Sequence, residues 1–141
     1  MNFGYPLLSE DAELVIDPLK TVLHDEDAVP GMKEFRNFIK PQPDYKEQVF
    51  FHTMKGNQSG ETTITVRNKK AGIAVSINFN IKQLPYIAQW KMMGYGEYVL
   101  GIEPSNVLCL SRIALREEDV LPMLQPGEST TNILEITVNG F

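Results

Sequence analysis

The stretch that decides the fold is AGIAVSINFNI, residues 71–81. Apolar side chains alternate with small or polar ones along its whole length, which is the period of a β-strand with one buried face. The preceding stretch, ETTITVRN at residues 61–68, alternates in the same way. Asn68, Lys69 and Lys70 separate the two runs with turn-forming and polar residues. The sequence therefore predicts a β-hairpin here.

Further β-rich runs lie on both sides of this hairpin. They cover residues 48–55, 86–93, 98–102 and 130–138, with weaker candidates at 14–16 and 21–24. Short helical turns are expected only within residues 32–40 and 112–121, and glycine and proline punctuate the connections. Many strands with almost no helix predict an all-β sandwich or barrel in one domain over residues 1–141.

Composition excludes several classes of protein. Of the 141 residues, 43% are hydrophobic and 22% are charged, which is typical of a globular domain. No apolar run is long enough to cross a bilayer, so no membrane association is expected. The net charge of −5 and the lack of a basic stripe argue against nucleic acid as a partner. The single cysteine, Cys109, can form neither an internal disulfide nor a cysteine metal cluster, so we expect a cytoplasmic protein without metal or cofactor.

Residues 83–106 differ from ordinary strand sequence. They hold the only tryptophan, three tyrosines, two glutamines, a lysine, two glutamates and an asparagine. A sugar site needs such groups, because the C–H face of the ring packs on an aromatic side chain and the hydroxyls pair with amides, carboxylates and amines. This segment is therefore the predicted ligand site.

Glu103 is a candidate general base of that site. It directly follows the apolar run 98–102, so its carboxylate is expected at a strand end and partly shielded from solvent, as suits a base. The alternative is that Glu103 merely ends a strand at the surface and that Trp90 belongs to the core.

Four segments carry a family resemblance. In chain order they are NFGYPLL at 2–8, EQVFFH at 47–52, QWKMMG at 89–94 and YVLGIEPSN at 98–106. Together they resemble the uncharacterised bacterial branch of the aldose 1-epimerase family, within the galactose mutarotase-like superfamily. The resemblance implies the C-terminal part of an antiparallel β-supersandwich that binds a sugar across one concave sheet, with the N-terminal part of the family fold missing.

The family implies an activity as well. Classical members interconvert the anomers of an aldose: a carboxylate takes the proton of the anomeric hydroxyl while a histidine protonates the ring oxygen. By resemblance, Glu103 is the carboxylate, and a monosaccharide or sugar derivative is the ligand. Gln48 lies where classical members carry an Asp–His pair. The expected substrate contacts are Gln48, Gln89, Trp90, Lys91 and Asn106.

No residue of this chain matches the histidine that protonates the ring oxygen in classical members. The resemblance places it just before residues 2–6, but the chain begins at Met1, so we expect a fragment or a short gene product. His52 is the candidate substitute: if Val49 and Phe51 face the core, then Gln48, Phe50 and His52 share the opposite face. The alternative is a solvent-facing strand histidine.

Three functional classes follow from the sequence. The first is a mutarotase-like isomerase, the second is a non-catalytic carbohydrate-binding module, and the third is an inactive truncated fragment. A partial sandwich also leaves sheet edges free to pair with another chain, so we expect a homo-oligomer.

Overall fold

The chain folds as an antiparallel β-sandwich, which a computed structural model describes over residues 1–141. One sheet has five strands in the order β1-β8-β7-β4-β3, and the other has four in the order β2-β5-β6-β9. The predicted all-β antiparallel β-sandwich is confirmed. No helix has the length and apolar character needed to cross a membrane. The strands are β1 (Asn2–Phe3), β2 (Ala12–Val15), β3 (Pro18–Leu23), β4 (Gln48–Met54), β5 (Glu61–Asn68), β6 (Ile73–Asn80), β7 (Tyr86–Gly94), β8 (Glu97–Ser105) and β9 (Leu134–Gly140).

The predicted hairpin is formed by β5 and β6. The two strands pair along their whole length, and Ile64 lies opposite Ile77 with both side chains buried. The Asn68 side chain closes the turn, because it accepts a hydrogen bond from the Ala71 backbone and donates one to the Leu7 carbonyl. The structure therefore confirms the hairpin that the alternation predicted.

Two strands differ in length from their predicted forms. β8 continues past residue 102 to Ser105, because β7 pairs with it as far as Tyr86. β1 pairs only with Leu100 and Gly101, so no strand lies beside Pro104 on that side. The N–H that Pro104 lacks would therefore have had no strand partner. β9 begins at Leu134, not at residue 130, because the last pair between β6 and β9 joins Phe79 to Leu134.

Short helices occupy connections outside the sheets. A 3-10 helix, Glu26–Gly31, precedes β4 and leads into a series of turns over residues 32–36. The helix α1, Arg112–Glu117, lies within the predicted helical segment and is capped by Ser111, which accepts a hydrogen bond from the Ala114 backbone. The 3-10 helix ends just before the segment 32–40 in which a helical turn was expected, whereas α1 lies inside its expected segment.

Residues 31–39 fill part of the interior and connect the two sheets. The Leu14 backbone of β2 donates a hydrogen bond to the Arg36 carbonyl, and Lys91 of β7 donates one to the Glu34 carbonyl. Phe35 and Phe38 join the core that both sheets share. This segment therefore decides which side chains of the five-stranded sheet are covered.

Candidate functional site

The five-stranded sheet has an inner and an outer face. Along β4, Gln48, Phe50 and His52 are buried, whereas Val49 and Phe51 are only partly covered. The condition under which His52 could reach the ligand, that Val49 and Phe51 face the core, is therefore not met. The reason is that residues 31–39 pack on the face that carries His52. There the Phe35 ring lies 5.1 Å from the His52 ring. The side that carries Val49 and Phe51 is called the outer face below.

His52 belongs to a buried polar cluster on the inner face. Its ring nitrogens lie 2.9 Å from Thr21 Oγ1 and 2.9 Å from Gln89 Oε1. Gln89 Nε2 in turn donates to the Phe35 carbonyl at 2.7 Å. Burial lowers the pKa of His52 to about 4, against the smaller opposing effect of the Gln89 hydrogen bond. His52 is therefore a neutral interior residue and not a solvent-facing strand histidine.

Lys91 also lies on the inner face. Its Nζ donates to the Glu34 and Asn37 carbonyls at 3.0 and 2.7 Å. Burial lowers the pKa of Lys91 to about 8. Lys91 thus fastens the 31–39 segment to the sheet, as Gln89 does, and neither side chain reaches the outer face.

Gln48, opposite Lys91 across β4 and β7, is buried as well. Its Oε1 has no protein hydrogen-bond partner and lies against Gly31. A Cβ at position 31 would collide with that oxygen and would lie 2.9 Å from Phe50 Cζ, so a larger residue there would require these side chains to shift. Three of the five expected substrate contacts, Gln48, Gln89 and Lys91, therefore support the interior.

On the outer face, polar side chains gather around Gly101. Asn2 and Trp90 flank Gly101 on the neighbouring strands, and Glu103 follows it on the same face. A Cβ at position 101 would lie 3.3 Å from Asn2 Oδ1, from Glu103 Oε1 and from Trp90 Cβ. An amide oxygen, a carboxylate oxygen and the Cβ of Trp90 thus surround Gly101, which has no side chain of its own.

Asn2 is a site residue that was not predicted. Its only sequence signal was its place in the segment 2–8, because a strand of two residues has no detectable alternation. The structure shows why it matters: Met1 exchanges backbone hydrogen bonds with Ile102, which sets Asn2 beside Gly101.

Trp90 lies on the outer face and is partly exposed, so its assignment to the core is wrong. Its indole Nε1 donates to Glu47 Oε2 at 2.7 Å, which fixes the orientation of the ring. His24 stands near the far edge of the same face, where its ring packs against Phe51 and bonds to the Asp25 carboxylate at 2.7 Å.

Glu103 is exposed and lies within β8, so the expectation of a partly shielded carboxylate just after a strand is wrong. Beside it the segment after β8 borders an open cavity of about 440 Å³. Its lining includes Ala88, Glu103, Ser105, Cys109, Arg112 and Leu115. Asn106 is exposed after β8 and does not line this cavity.

Glu103 and His52 point to opposite faces of the sheet. Glu103 is paired with Ala88, whose side chain is on the outer face, whereas His52 is paired with buried Ile87. The proposed acid–base pair is therefore not assembled. The outer face offers a carboxylate, a tryptophan face and an amide, which can hold a polyhydroxylated ring and accept a proton from it.

Comparisons with known proteins agree with this fold. Residues 1–138 match the family described as "Domain of unknown function (DUF4432)". A solved structure, described as a putative aldose 1-epimerase from Klebsiella pneumoniae subsp. pneumoniae MGH 78578, superposes with a TM-score of 0.86 at 28% sequence identity. The match covers 99% of this chain and 36% of that one, so this chain spans about a third of its length. No curated protein matches the sequence.

The buried His52 predicts a specific pH dependence of stability. Unfolded His52 takes up a proton near pH 6.5, whereas folded His52 stays neutral down to about 4. Its contribution is therefore fully present above pH 6.5 and is lost as the pH falls toward 4, by roughly 3 kcal/mol at most. Urea unfolding of the wild type and of His52→Gln at several pH values measures this. The wild type should lose more stability, and equal losses would contradict a buried neutral His52.

Proposed function

This chain belongs to the DUF4432 family, and from its likeness to the Klebsiella protein and the outer-face geometry we propose that it binds a sugar and interconverts its anomers. The observation that carries the proposal is the convergence of Glu103, Asn2 and Trp90 over Gly101, in a fold similar to that of the Klebsiella protein. A cytoplasmic location is part of the proposal and is supported by the lone, unpaired Cys109.

In the proposed reaction the sugar packs its C–H face on Trp90, and Glu103 faces the anomeric hydroxyl. Glu103 takes the hydroxyl proton as the C1–O1 bond becomes a carbonyl and the bond from C1 to the ring oxygen breaks. The ring oxygen takes a proton from water, since the outer face is open and His52 lies on the other side of the sheet. Rotation about C1–C2 and reversal of these steps give the other anomer.

A second candidate is carbohydrate binding without catalysis. The observation that favours it is the same separation of His52 from Glu103, which leaves the carboxylate without the histidine acid of classical members. Binding and catalysis differ in one measurable property, the rate of exchange between anomers.

We expect this chain to accelerate anomer exchange of at least one aldose and Glu103→Gln to lose that acceleration. Removing a general base costs typically 100-fold or more in rate. Saturation-transfer NMR across a panel of aldoses measures the exchange. Glu97→Gln is the matched control, because Glu97 is an exposed carboxylate on the same strand and leaves the Gly101 site intact.

Each outcome of that experiment has a distinct meaning. Acceleration by the wild type and Glu97→Gln, but not by Glu103→Gln, supports the mutarotase. Sugar binding without any acceleration selects the binding module. Equal acceleration by all three proteins would exclude Glu103 as the base.

The proposal includes a homo-oligomer formed through β9. This strand pairs only with β6, and its apolar side chains Leu134, Ile136 and Val138 are 46%, 50% and 68% exposed. No proline or lysine protects this edge. Antiparallel pairing of two β9 strands about Thr137 would place Ile136 opposite Val138 and Glu135 opposite Asn139. No like charges would then meet, so a second copy fits this edge.

The β9 edge predicts a dimer at micromolar concentrations. Ile136→Lys should give a folded monomer, because it puts a charge into the apolar row. Ile133→Lys is the matched control, since Ile133 is 64% exposed but lies outside the strand. Sedimentation velocity distinguishes these species, and a monomeric wild type would refute the proposal.

A further inference from the structure

The cavity beside Glu103 carries one charged group that the proposed reaction does not use. Arg112, the first residue of α1, is one of the residues that line it. Arg112 makes no hydrogen bond and no ion pair, whereas Arg67 is paired with Glu13. Arg112 is exposed, so its guanidinium is accessible to a ligand that occupies the cavity.

The cavity adjoins the Gly101 site through Glu103. Ala88 of β7 lies opposite Glu103 of β8. The next pair on the outer face in one direction is Trp90 and Gly101, and the next outer-face residue of β8 in the other direction is Ser105. Ala88, Glu103 and Ser105 line the cavity, whereas Trp90 and Gly101 do not. A ring that packs on Trp90 with its anomeric hydroxyl at Glu103 would therefore direct a substituent toward Arg112.

The chemistry of the lining suggests what that substituent is. At about 440 Å³ the cavity lies within the range of ligand pockets, and most of its walls are apolar, including Leu115 and Leu121. Arg112 is the only cation among the lining residues. A guanidinium binds carboxylate and phosphate oxygens through paired N–H donors.

We propose that Arg112 selects a sugar that carries an anionic substituent, a carboxylate or a phosphate, over the neutral aldose. The inference rests on the proposed sugar site around Gly101. It does not depend on catalysis, because an anion can be recognised whether or not Glu103 exchanges the anomers.

Direct binding tests this selectivity. Calorimetry or NMR titration would compare glucose with glucuronate and glucose 6-phosphate on the wild type, Arg112→Gln and Arg116→Gln. Arg116 is the matched control, because it lies on the same helix without lining the cavity. The wild type and Arg116→Gln should bind an anionic sugar about tenfold more tightly than glucose, and Arg112→Gln should lose that preference while binding glucose unchanged.

The two anionic sugars separate the possible sources of charge. Preference for glucuronate alone assigns a carboxylate, and preference for glucose 6-phosphate alone assigns a phosphate. Equal affinity for charged and neutral sugars, equal weakening of both in Arg112→Gln, or no binding at all would overturn the inference. Anion selectivity without anomer exchange would leave the inference standing while the mutarotase proposal fails.

Discussion

The antiparallel register of β4, β7 and β8 is the constraint on which the site depends. Successive residues of a strand face opposite sides, so a pairing of Ala88 with Glu103 fixes the side of every neighbour. That register places Trp90 and Glu103 on the outer face and Gln89 and Lys91 on the inner one. Residues adjacent in sequence thus serve different purposes: one set is available to a ligand, and the other holds the protein together.

The polar cluster on the inner face costs desolvation free energy, and its hydrogen bonds hold residues 31–39 in place. Burying His52 and Lys91 disfavours their charged forms, and each is compensated by hydrogen bonds to side chains or to carbonyls of residues 31–39. An apolar segment could not be fixed in one position so specifically, because dispersion contacts have little directionality. Through these bonds the 31–39 segment is held between the sheets, and the outer face is left free of it.

Much of the fold could be read from alternation alone, but the site only in part. The β5–β6 hairpin follows from a period of two, as does the grouping of Gln48 with His52 on one face, whereas the strands around Glu103 were predicted as β-rich runs separated by a glycine turn. Which face is inside could not be derived, since β4 carries large apolar residues on both faces, such as Phe50 and Phe51. The covering segment at 31–39 shows no period and its contacts are made through side chains to carbonyls. Asn2 was missed because its strand is too short to show a pattern.

The central claim is that a sugar binds the outer face around Gly101 and not the inner polar cluster. The most direct measurement is an NMR titration of the labelled protein with the tightest-binding sugar, following backbone amides and the Trp90 indole N–H. The account predicts shifts at Asn2, Trp90, Gly101 and Glu103, with Gln48 and His52 unaffected. Shifts centred on His52, Gln89 and Lys91 would contradict it, as would the absence of any shift around Gly101.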